Sequence, residues 1–179
     1  MPVSDSRLPP VNRAAIKDPD LQRVLEQAER LSTPKPAWYL TLAHNPEMAK
    51  AYAAYWDITH RGGRVEHTIK ELMRITIAQM LDCDFCANQR SVLAQEQGLD
   101  ENIVAACMSP DFQHPDPRTR AALRYARVLT LNSADDRTFD QVYAELREVF
   151  DEGEIVELGC FAAIAIGGVK LSRSLKIEP

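Results

Sequence analysis

The sequence predicts an all-α domain, and three observations lead to that prediction. Apolar residues recur with the 3.6-residue period of an amphipathic helix through nearly the whole chain. No stretch alternates polar and apolar residues for long enough to indicate a strand. Most of the 11 prolines lie in the first 46 residues or between 110 and 117, outside the long periodic segments. A length of 179 residues fits one domain.

Local start and stop signals delimit each element. Pro9-Pro10 cannot propagate a helix, so residues 1–17 are expected to form an extended N-terminal arm before a single-domain bundle of seven to eight helices at 18–179. Asp18-Pro19 and Asn45-Pro46 each combine a cap with a first-turn proline. Gly62-Gly63 breaks the chain. The predicted helices run from Pro19 to before Pro34, from Pro46 to about Thr59, from near Val65 to Met80, from Cys83 (capped by Asp82) to about Gln97 with Gly98 as its stop, from Glu101 to Met108, from Arg118 to Leu131 after a loop at 110–117, from Thr138 to Phe150, and from Glu152 to about Ser174.

Composition narrows the class of protein. Hydrophobic residues at 45% and charged residues at 26% are typical of a soluble globular chain, not a disordered one. A net charge of −5 argues against binding a nucleic-acid backbone. The N-terminus lacks the apolar core of a signal peptide, and the richest apolar run, Leu158 to Val169, is about two-thirds of a membrane span. We therefore expect a cytoplasmic protein with no membrane helix, where structural disulfides are rare.

The sharpest motif is Cys83-Asp84-Phe85-Cys86. Helical residues three apart share a face, at a separation that allows a disulfide, and a helix N-terminus favours a thiolate. A redox-active dithiol is one interpretation. A zinc site would need two more ligands, whereas Cys107 and Cys160 are isolated on separate predicted helices and are expected in the core. Two buried cysteines at helical spacing are the third interpretation.

Glu71 is a candidate partner for the thiols. It lies twelve residues before Cys83 in an otherwise apolar stretch, where it would act as a general base, pair with Arg74 or Lys70, or lie in solvent near the helix start. His67, four residues earlier, shares its face and is expected as a surface histidine or a proton shuttle. His60 ends the preceding helix, where it would cap carbonyl groups.

Arg90 lies four residues after Cys86, one helical turn further along. On a continuous helix its guanidinium would stabilise a Cys86 thiolate or pair with Glu71, or else it would be an exposed surface arginine.

These residues together resemble the carboxymuconolactone decarboxylase superfamily, and most closely its alkylhydroperoxidase D-like branch. The characteristic stretch runs from HTIKELMRITIAQMLDCDFCANQR through SVLAQEQG, and GEIVELGCFAAIAIGGVKLSRSL looks like the long closing helix of the family. The likeness covers roughly residues 38–175, and its specific part is the spacing of the glutamate from the CxxC pair.

The resemblance implies roles for the matching residues. In that branch a glutamate and a histidine four residues after the second cysteine relay a proton from that attacking cysteine, and the first cysteine resolves the sulfenic acid. Carried over, Glu71 is the glutamate, Cys86 the attacking thiol and Cys83 the resolving thiol. The relay histidine is replaced by Arg90, and a second family histidine by Phe85. Arginine stays protonated, so Arg90 would act by charge while water, Glu71 or His67 moved the proton.

The function implied is that of a peroxiredoxin-type thiol peroxidase, an alkyl hydroperoxide reductase-like enzyme that reduces hydroperoxides through the dithiol. A protein dithiol as electron donor and a homo-oligomer, a trimer or hexamer, are implied by the family. No organic cofactor is expected, because no glycine-rich phosphate loop is present, and no metal is expected, because the CxxC pair lacks two further ligands. Two alternatives stay open. One is a decarboxylase or isomerase of a small carboxylic acid, with Arg90 anchoring the carboxylate, although the family's decarboxylases do not rely on a CxxC pair. The other is a non-enzymatic helical assembly module.

Overall fold

The fold is all-helical, as predicted. A computed structural model of the chain describes residues 6–108, 114–131 and 133–177, and no strand occurs within those ranges. A 3-10 turn at Arg13–Ala15 precedes the α-helices, and a π-helical segment at Asp57–Arg61 continues the third of them. The α-helices are α1 (Pro19–Leu31), α2 (Pro36–Leu42), α3 (Pro46–Trp56), α4 (His67–Met80), α5 (Asp84–Ala87), α6 (Val92–Glu96), α7 (Glu101–Met108), α8 (Pro117–Thr130), α9 (Asp136–Arg147) and α10 (Glu152–Leu175).

The predicted caps explain where several helices begin. The Asp18 carboxylate accepts hydrogen bonds from two backbone N–H groups of the first turn of α1. The Asn45 side chain accepts from Met48 N at the start of α3. Asp151 and Glu154 form a reciprocal capping box at the start of α10. These interactions satisfy N–H groups that a helix terminus otherwise leaves without partners.

Two predicted elements differ from the structure. The proline-rich segment after α1 contains a further helix, α2, because Pro36 occupies its first turn and Trp38 and Tyr39 pack into the core. The single helix predicted from Cys83 to about Gln97 is wrong: α5 ends at Ala87, and Ser91 caps a separate α6. Both differences raise the helix count above the predicted seven to eight.

The described part of the N-terminal arm is bound to the helical body. The backbone N–H of Arg7 donates to Leu175 O at 2.9 Å, and that of Val11 donates to Leu40 O at 3.0 Å. The first α-helix begins at Pro19. The predicted loop at 110–117 falls in part on residues 109–113, which lie outside the described residues.

Helix α4 is the central element of the bundle, packed against α8 and α10. Eleven of its residues are buried, from His67 to Ala78, and Lys70, Glu71 and Arg74 are among them. Helix α10 is 24 residues long and apolar enough by length and composition to cross a membrane, but 50% of its most apolar window is buried inside the fold. The core helix of a soluble protein has the same properties.

Candidate functional site

The two cysteines of the CxxC motif lie side by side at the C-terminal end of α4. Cys83 immediately precedes α5 and Cys86 lies within it, and their Sγ atoms are 2.8 Å apart. Both residues are buried, and both are free thiols. Asp82, the predicted cap, instead adopts a positive φ of 50° and turns the chain out of α4. The chain therefore holds a dithiol in close approach.

A small cavity opens beside Cys86. It has a volume of about 40 Å³, where a single water needs roughly 10–15 Å³. Cys86 contributes to its wall, and Cys83 is absent from the described residues that form it. The wall also includes four aromatic rings, those of Trp38, Tyr52, Trp56 and Phe85, and three polar side chains, those of Arg74, Gln89 and Ser172. The cavity therefore has room for a peroxide group against an apolar wall, next to one of the two thiols.

Glu71, which binds the cavity-lining Arg74, is fully buried, with both carboxylate oxygens saturated. Oε2 accepts from Arg74 Nε at 2.8 Å and faces His60 Nε2 at 3.1 Å. Oε1 accepts from Arg74 Nη2 at 2.9 Å and from the backbone N–H of Ser91 at 2.8 Å. Burial alone would raise the pKa of Glu71, but the charge and hydrogen bonds of Arg74 outweigh it and hold that pKa well below its usual range. Glu71 is therefore a fixed carboxylate at neutral pH.

His60, His67 and Ser91 join Glu71 in a closed ring of hydrogen bonds. Burial lowers the pKa of His60 to about 4, so its neutral ring donates Nε2–H to the carboxylate. His67 Nδ1 lies 2.9 Å from His60 O, which can only accept, so Nδ1 carries the proton. Its Nε2 then accepts from the Ser91 hydroxyl at 2.7 Å. Ser91 N–H returns to Glu71 and closes the ring.

The positions of the two histidines correct the sequence-based expectations. His67, expected at the surface, is buried, and burial lowers its pKa. His60, expected to cap carbonyl groups, is fully buried in the π-helical segment, with its ring stacked on Phe161 at 5.1 Å. Sequence reasoning missed its contact with Glu71. The sequence feature that could have predicted this contact is Gly62-Gly63, because a chain break there lets the residues before it fold back onto α4.

Arg74 connects Glu71 to the CxxC segment. Its Nη1 donates to Cys86 O and its Nη2 to Gln89 O at 2.6 Å, while Nε and Nη2 hold the carboxylate. These contacts replace the helical hydrogen bonds that would continue α5 past Ala87. The guanidinium is buried and forms part of the cavity wall. It therefore places a buried positive charge next to Cys86, whose pKa that charge lowers.

Arg90 lies elsewhere. Its Nε and Nη2 bind the carboxylate of Glu101 at 2.7 and 3.0 Å, and its Nη1 donates to Ala87 O and Gln89 O. It is not among the cavity-lining residues described. The expectation that Arg90 shares a helical face with Cys86 is wrong, because α5 ends before it. The pairing with Glu71 belongs to Arg74, which the sequence offered as an alternative.

The two thiols share one proton. The hydrogen bond from Cys86 is the main cause that lowers the pKa of Cys83 to about 6. The same hydrogen bond, together with burial, raises the pKa of Cys86. The first ionisation of the pair is thus easier than that of an isolated cysteine and the second is harder. At neutral pH the pair carries one negative charge, and across 2.8 Å the remaining proton can reside on either sulfur.

A second buried ion pair fixes the other side of the site. Lys70 Nζ lies 2.7 Å from Glu157 Oε1 and also donates to Gly62 O. The same carboxylate accepts from the backbone N–H groups of Arg64 and Val65 at 2.8 and 3.2 Å. Glu157 of α10 therefore holds the turn that joins His60 to His67.

The remaining cysteines lie apart from the dithiol. Cys107 is fully buried, as expected, and burial raises its pKa to about 11. Cys160 is half-buried, where full burial was expected, and its carbonyl faces the Tyr55 hydroxyl at 3.5 Å. Within the described ranges, no three His, Cys, Asp or Glu side chains cluster as metal ligands.

The fold and the site define a class: all-helical proteins with a buried CxxC dithiol beside a glutamate–arginine pair and a small aromatic cavity. The carboxymuconolactone decarboxylase family model matches residues 46–128. This part of the chain is therefore similar to the carboxymuconolactone decarboxylase family, and the fold as a whole is similar to that of alkylhydroperoxidase-like solved structures.

One curated protein and several solved structures are also similar to the chain. The chain is 31% identical over 97 residues to the uncharacterized protein YdfG of Bacillus subtilis (strain 168). The aligned segment covers 52% of this chain and 64% of that relative's length. Its fold is similar to that of the debrominase Bmp8, with a TM-score of 0.77 and 21% identity over 96% of this chain and 90% of the other. That enzyme has also been crystallised as a cysteine-to-alanine variant with 2,3,4-tribromopyrrole. A peroxidase-related protein from Ralstonia eutropha JMP134, described as an alkylhydroperoxidase core, is as similar: its TM-score is 0.77, with 21% identity over 97% of this chain and 92% of that one.

Proposed function

We propose that the protein is a thiol peroxidase that reduces hydroperoxides through Cys86 and Cys83. One observation carries the proposal: two buried thiols lie 2.8 Å apart, and Cys86 is the one that lines a cavity large enough for a peroxide group. The family and the similar folds of peroxidase-related proteins support an enzymatic role of this kind.

The reaction balances with the two thiols alone. In the form with the remaining proton on Cys83, the Cys86 thiolate attacks the outer oxygen of ROOH, the O–O bond breaks, and Cys86 becomes a sulfenic acid while RO⁻ takes the Cys83 proton. The Cys83 thiolate then displaces hydroxide from that sulfenic sulfur and forms the Cys83–Cys86 disulfide. An external protein dithiol, whose two thiols become a disulfide, returns the pair to its reduced state.

Glu71 and Arg74 support the thiols without moving protons. Glu71 is ionised and holds four hydrogen bonds, so it has no free lone pair directed at a thiol proton. Its role is to hold Arg74, which anchors the carbonyl of Cys86 and places positive charge beside the thiolate. The electrostatic role expected of Arg90 passes to Arg74. Arg90, bound to Glu101, keeps a structural role at the end of α5.

The location and assembly expected from the sequence remain part of the proposal. A cytoplasmic, reducing compartment would keep a dithiol of this kind reduced between turnovers. Large apolar side chains on α10 and the π-helical segment are exposed, with Val156 at 64% and Ile58 at 68%. They suit the interface of a homo-oligomer, a trimer or hexamer, better than a free surface.

The test is peroxide consumption driven by a small dithiol reductant. We expect Cys86→Ser to abolish turnover of cumene hydroperoxide. Without added reductant, Cys83→Ser should consume one equivalent of peroxide, leaving on Cys86 a sulfenic acid that the nucleophilic probe dimedone labels. Cys160→Ser is the matched control and should keep wild-type turnover. Wild-type turnover in Cys86→Ser would refute the proposal.

Reductive dehalogenation of an aromatic substrate is the second candidate. Four aromatic rings line the cavity, and a similar fold belongs to a debrominase that has been crystallised with a brominated pyrrole. Two thiols and an aryl bromide would give a disulfide, the reduced arene, bromide and a proton. Bromide release from tribromopyrrole that depends on both cysteines, with no peroxide turnover, would favour this reaction.

The remaining alternatives are separable by one treatment. A decarboxylase or isomerase would keep its activity after both thiols are alkylated with a small reagent. The anchor proposed for it, Arg90, is bound to Glu101 and is not among the residues that line the cavity. A helical assembly module would show no thiol that reacts faster at neutral pH than a free cysteine.

A further inference from the structure

Ser172 lies where the dithiol meets the cavity. It is 2% exposed, and its Oγ is 3.9 Å from Cys83 Sγ, within hydrogen-bond range for sulfur. The same residue lines the cavity together with Cys86. It therefore connects Cys83, which is set back from the cavity, to the space in which a substrate would react.

The Ser172 hydroxyl is also not engaged by its own helix. Buried helical hydroxyls usually donate to the carbonyl one turn earlier. Thr41, Thr59 and Thr130 do so in this chain, at 2.7 to 2.9 Å. Instead, the Ser172 hydroxyl contacts both thiols: Cys83 Sγ lies at 3.9 Å, and a hydrogen bond from Ser172 also acts on Cys86. When Cys86 is the thiolate and the remaining proton lies on Cys83, Ser172 Oγ can accept from the Cys83 thiol, and the hydroxyl proton is then directed towards Cys86 and the cavity.

Other groups near the thiols are poor proton donors. Glu71 is ionised and fully hydrogen-bonded, and Arg74 stays protonated. His67 has both ring nitrogens engaged in the hydrogen-bonded ring. Tyr52 is the one rival hydroxyl among the cavity-lining residues described, and its oxygen lies against Gly168 of α10.

We propose that Ser172 carries the proton from Cys83 to the leaving group when Cys86 attacks a hydroperoxide. The proposal rests on the proposed function. As the O–O bond breaks, RO⁻ takes the hydroxyl proton of Ser172, and Ser172 takes the Cys83 proton in turn. ROH leaves, and Cys83 is left as the thiolate that forms the disulfide. One hydroxyl thus completes the proton transfer for which the family uses a histidine.

The experiment compares two oxidants in single turnover of the reduced full-length protein. Cumene hydroperoxide releases a strongly basic alkoxide that needs a proton, whereas peracetic acid releases a carboxylate that needs none at pH 7. Oxidation is followed by the fluorescence of Trp38 and Trp56, the only two tryptophans of the chain, which both line the cavity. We expect Ser172→Ala to slow the reaction with cumene hydroperoxide about 100-fold. The reaction with peracetic acid should change less than about threefold.

Controls separate proton transfer from structural damage. Ser174→Ala, an exposed serine on the same helix, should match wild type with both oxidants. An equal loss with both oxidants in Ser172→Ala would show a structural defect and overturn the inference. Unchanged rates in Ser172→Ala would also overturn it. A slower reaction with cumene hydroperoxide alone in Tyr52→Phe would assign the proton transfer to Tyr52 and overturn it as well. If the wild-type dithiol reacts with neither oxidant, the proposed function itself fails.

Discussion

Replacing Glu71 with Gln tests the central ion pair of the site. The substitution keeps the shape of the side chain, but it removes the charge that balances the buried Arg74 guanidinium. It also presents an NH₂ group to two of the four donors that now bind carboxylate oxygens. Removing one partner of a buried ion pair costs about 3–5 kcal/mol. We therefore expect Glu71→Gln to lower the free energy of unfolding by that amount, and the melting temperature by about 10 °C.

The matched control is Glu101→Gln. Glu101 also binds an arginine through both carboxylate oxygens, at 2.7 and 3.0 Å, but its side chain is 69% exposed. An exposed pair of this kind contributes about 0–1 kcal/mol. Urea unfolding followed by circular dichroism measures both variants.

A double variant sharpens the result. Glu71→Gln combined with Arg74→Met removes the uncompensated cation as well, and it should be more stable than Glu71→Gln alone. If Glu71→Gln costs no more than Glu101→Gln, Glu71 does not hold Arg74 as inferred, and a role for it as a general base returns.

Three further predictions follow from single features of the structure. The pKa of His60, lowered to about 4 from an unfolded value near 6.5, implies that unfolding binds a proton between these values. The free energy of unfolding should therefore be highest above pH 6.5 and fall by about 3 kcal/mol on acidification to pH 4. Urea unfolding should show a smaller fall in His60→Gln. The pKa of Cys83, lowered to about 6 mainly by its hydrogen bond from Cys86, predicts iodoacetamide alkylation with a midpoint near pH 6; Cys86→Ala should move it up towards 8.5, and an unshifted midpoint would contradict the shared proton. Gly63 has a φ of +85°, and a Cβ added there would lie 2.2 Å from the Glu157 carboxylate. Gly98 has a similar φ of +95°, but a Cβ added there would have nothing within 4 Å. Thermal unfolding should therefore show that Gly63→Ala costs at least about 2 kcal/mol more than Gly98→Ala.

The sequence predicted those helices whose limits are set by local signals. Asp18-Pro19 opens α1 where expected, and α7 spans the predicted Glu101–Met108. The break between α5 and α6 was missed because its cause is not local. Arg74 and Glu71 of α4 take the carbonyl and N–H groups of the segment from Cys86 to Ser91, and no residue in that segment signals their presence.

The same distinction holds for the site. Glu71 and Arg74 lie three residues apart on one helix, so the sequence predicted their ion pair as one alternative. The spacing of Arg90 from Cys86 pointed to a contact that exists only on an unbroken helix. The position of His60 beside Glu71 depends on a π-helical segment and on the turn at Gly62-Gly63. A search of the sequence for the 3.6-residue helical period detects neither feature. The roles of Cys86 and Cys83 came from the resemblance and stay predictions for the single-turnover assays.

Helix α10 explains how a site with no relay histidine keeps its geometry. Near its start, Glu157 binds Lys70 and the turn before α4, which fixes the histidines around Glu71. Fifteen residues later, Ser172 meets the dithiol. Because both contacts come from one rigid helix packed on α4, a displacement of α10 would disturb the Glu71 ring and the Cys83 contact together. Glu157→Gln, which weakens the first contact, should therefore also slow Cys83 alkylation at pH 7, although Glu157 touches neither sulfur.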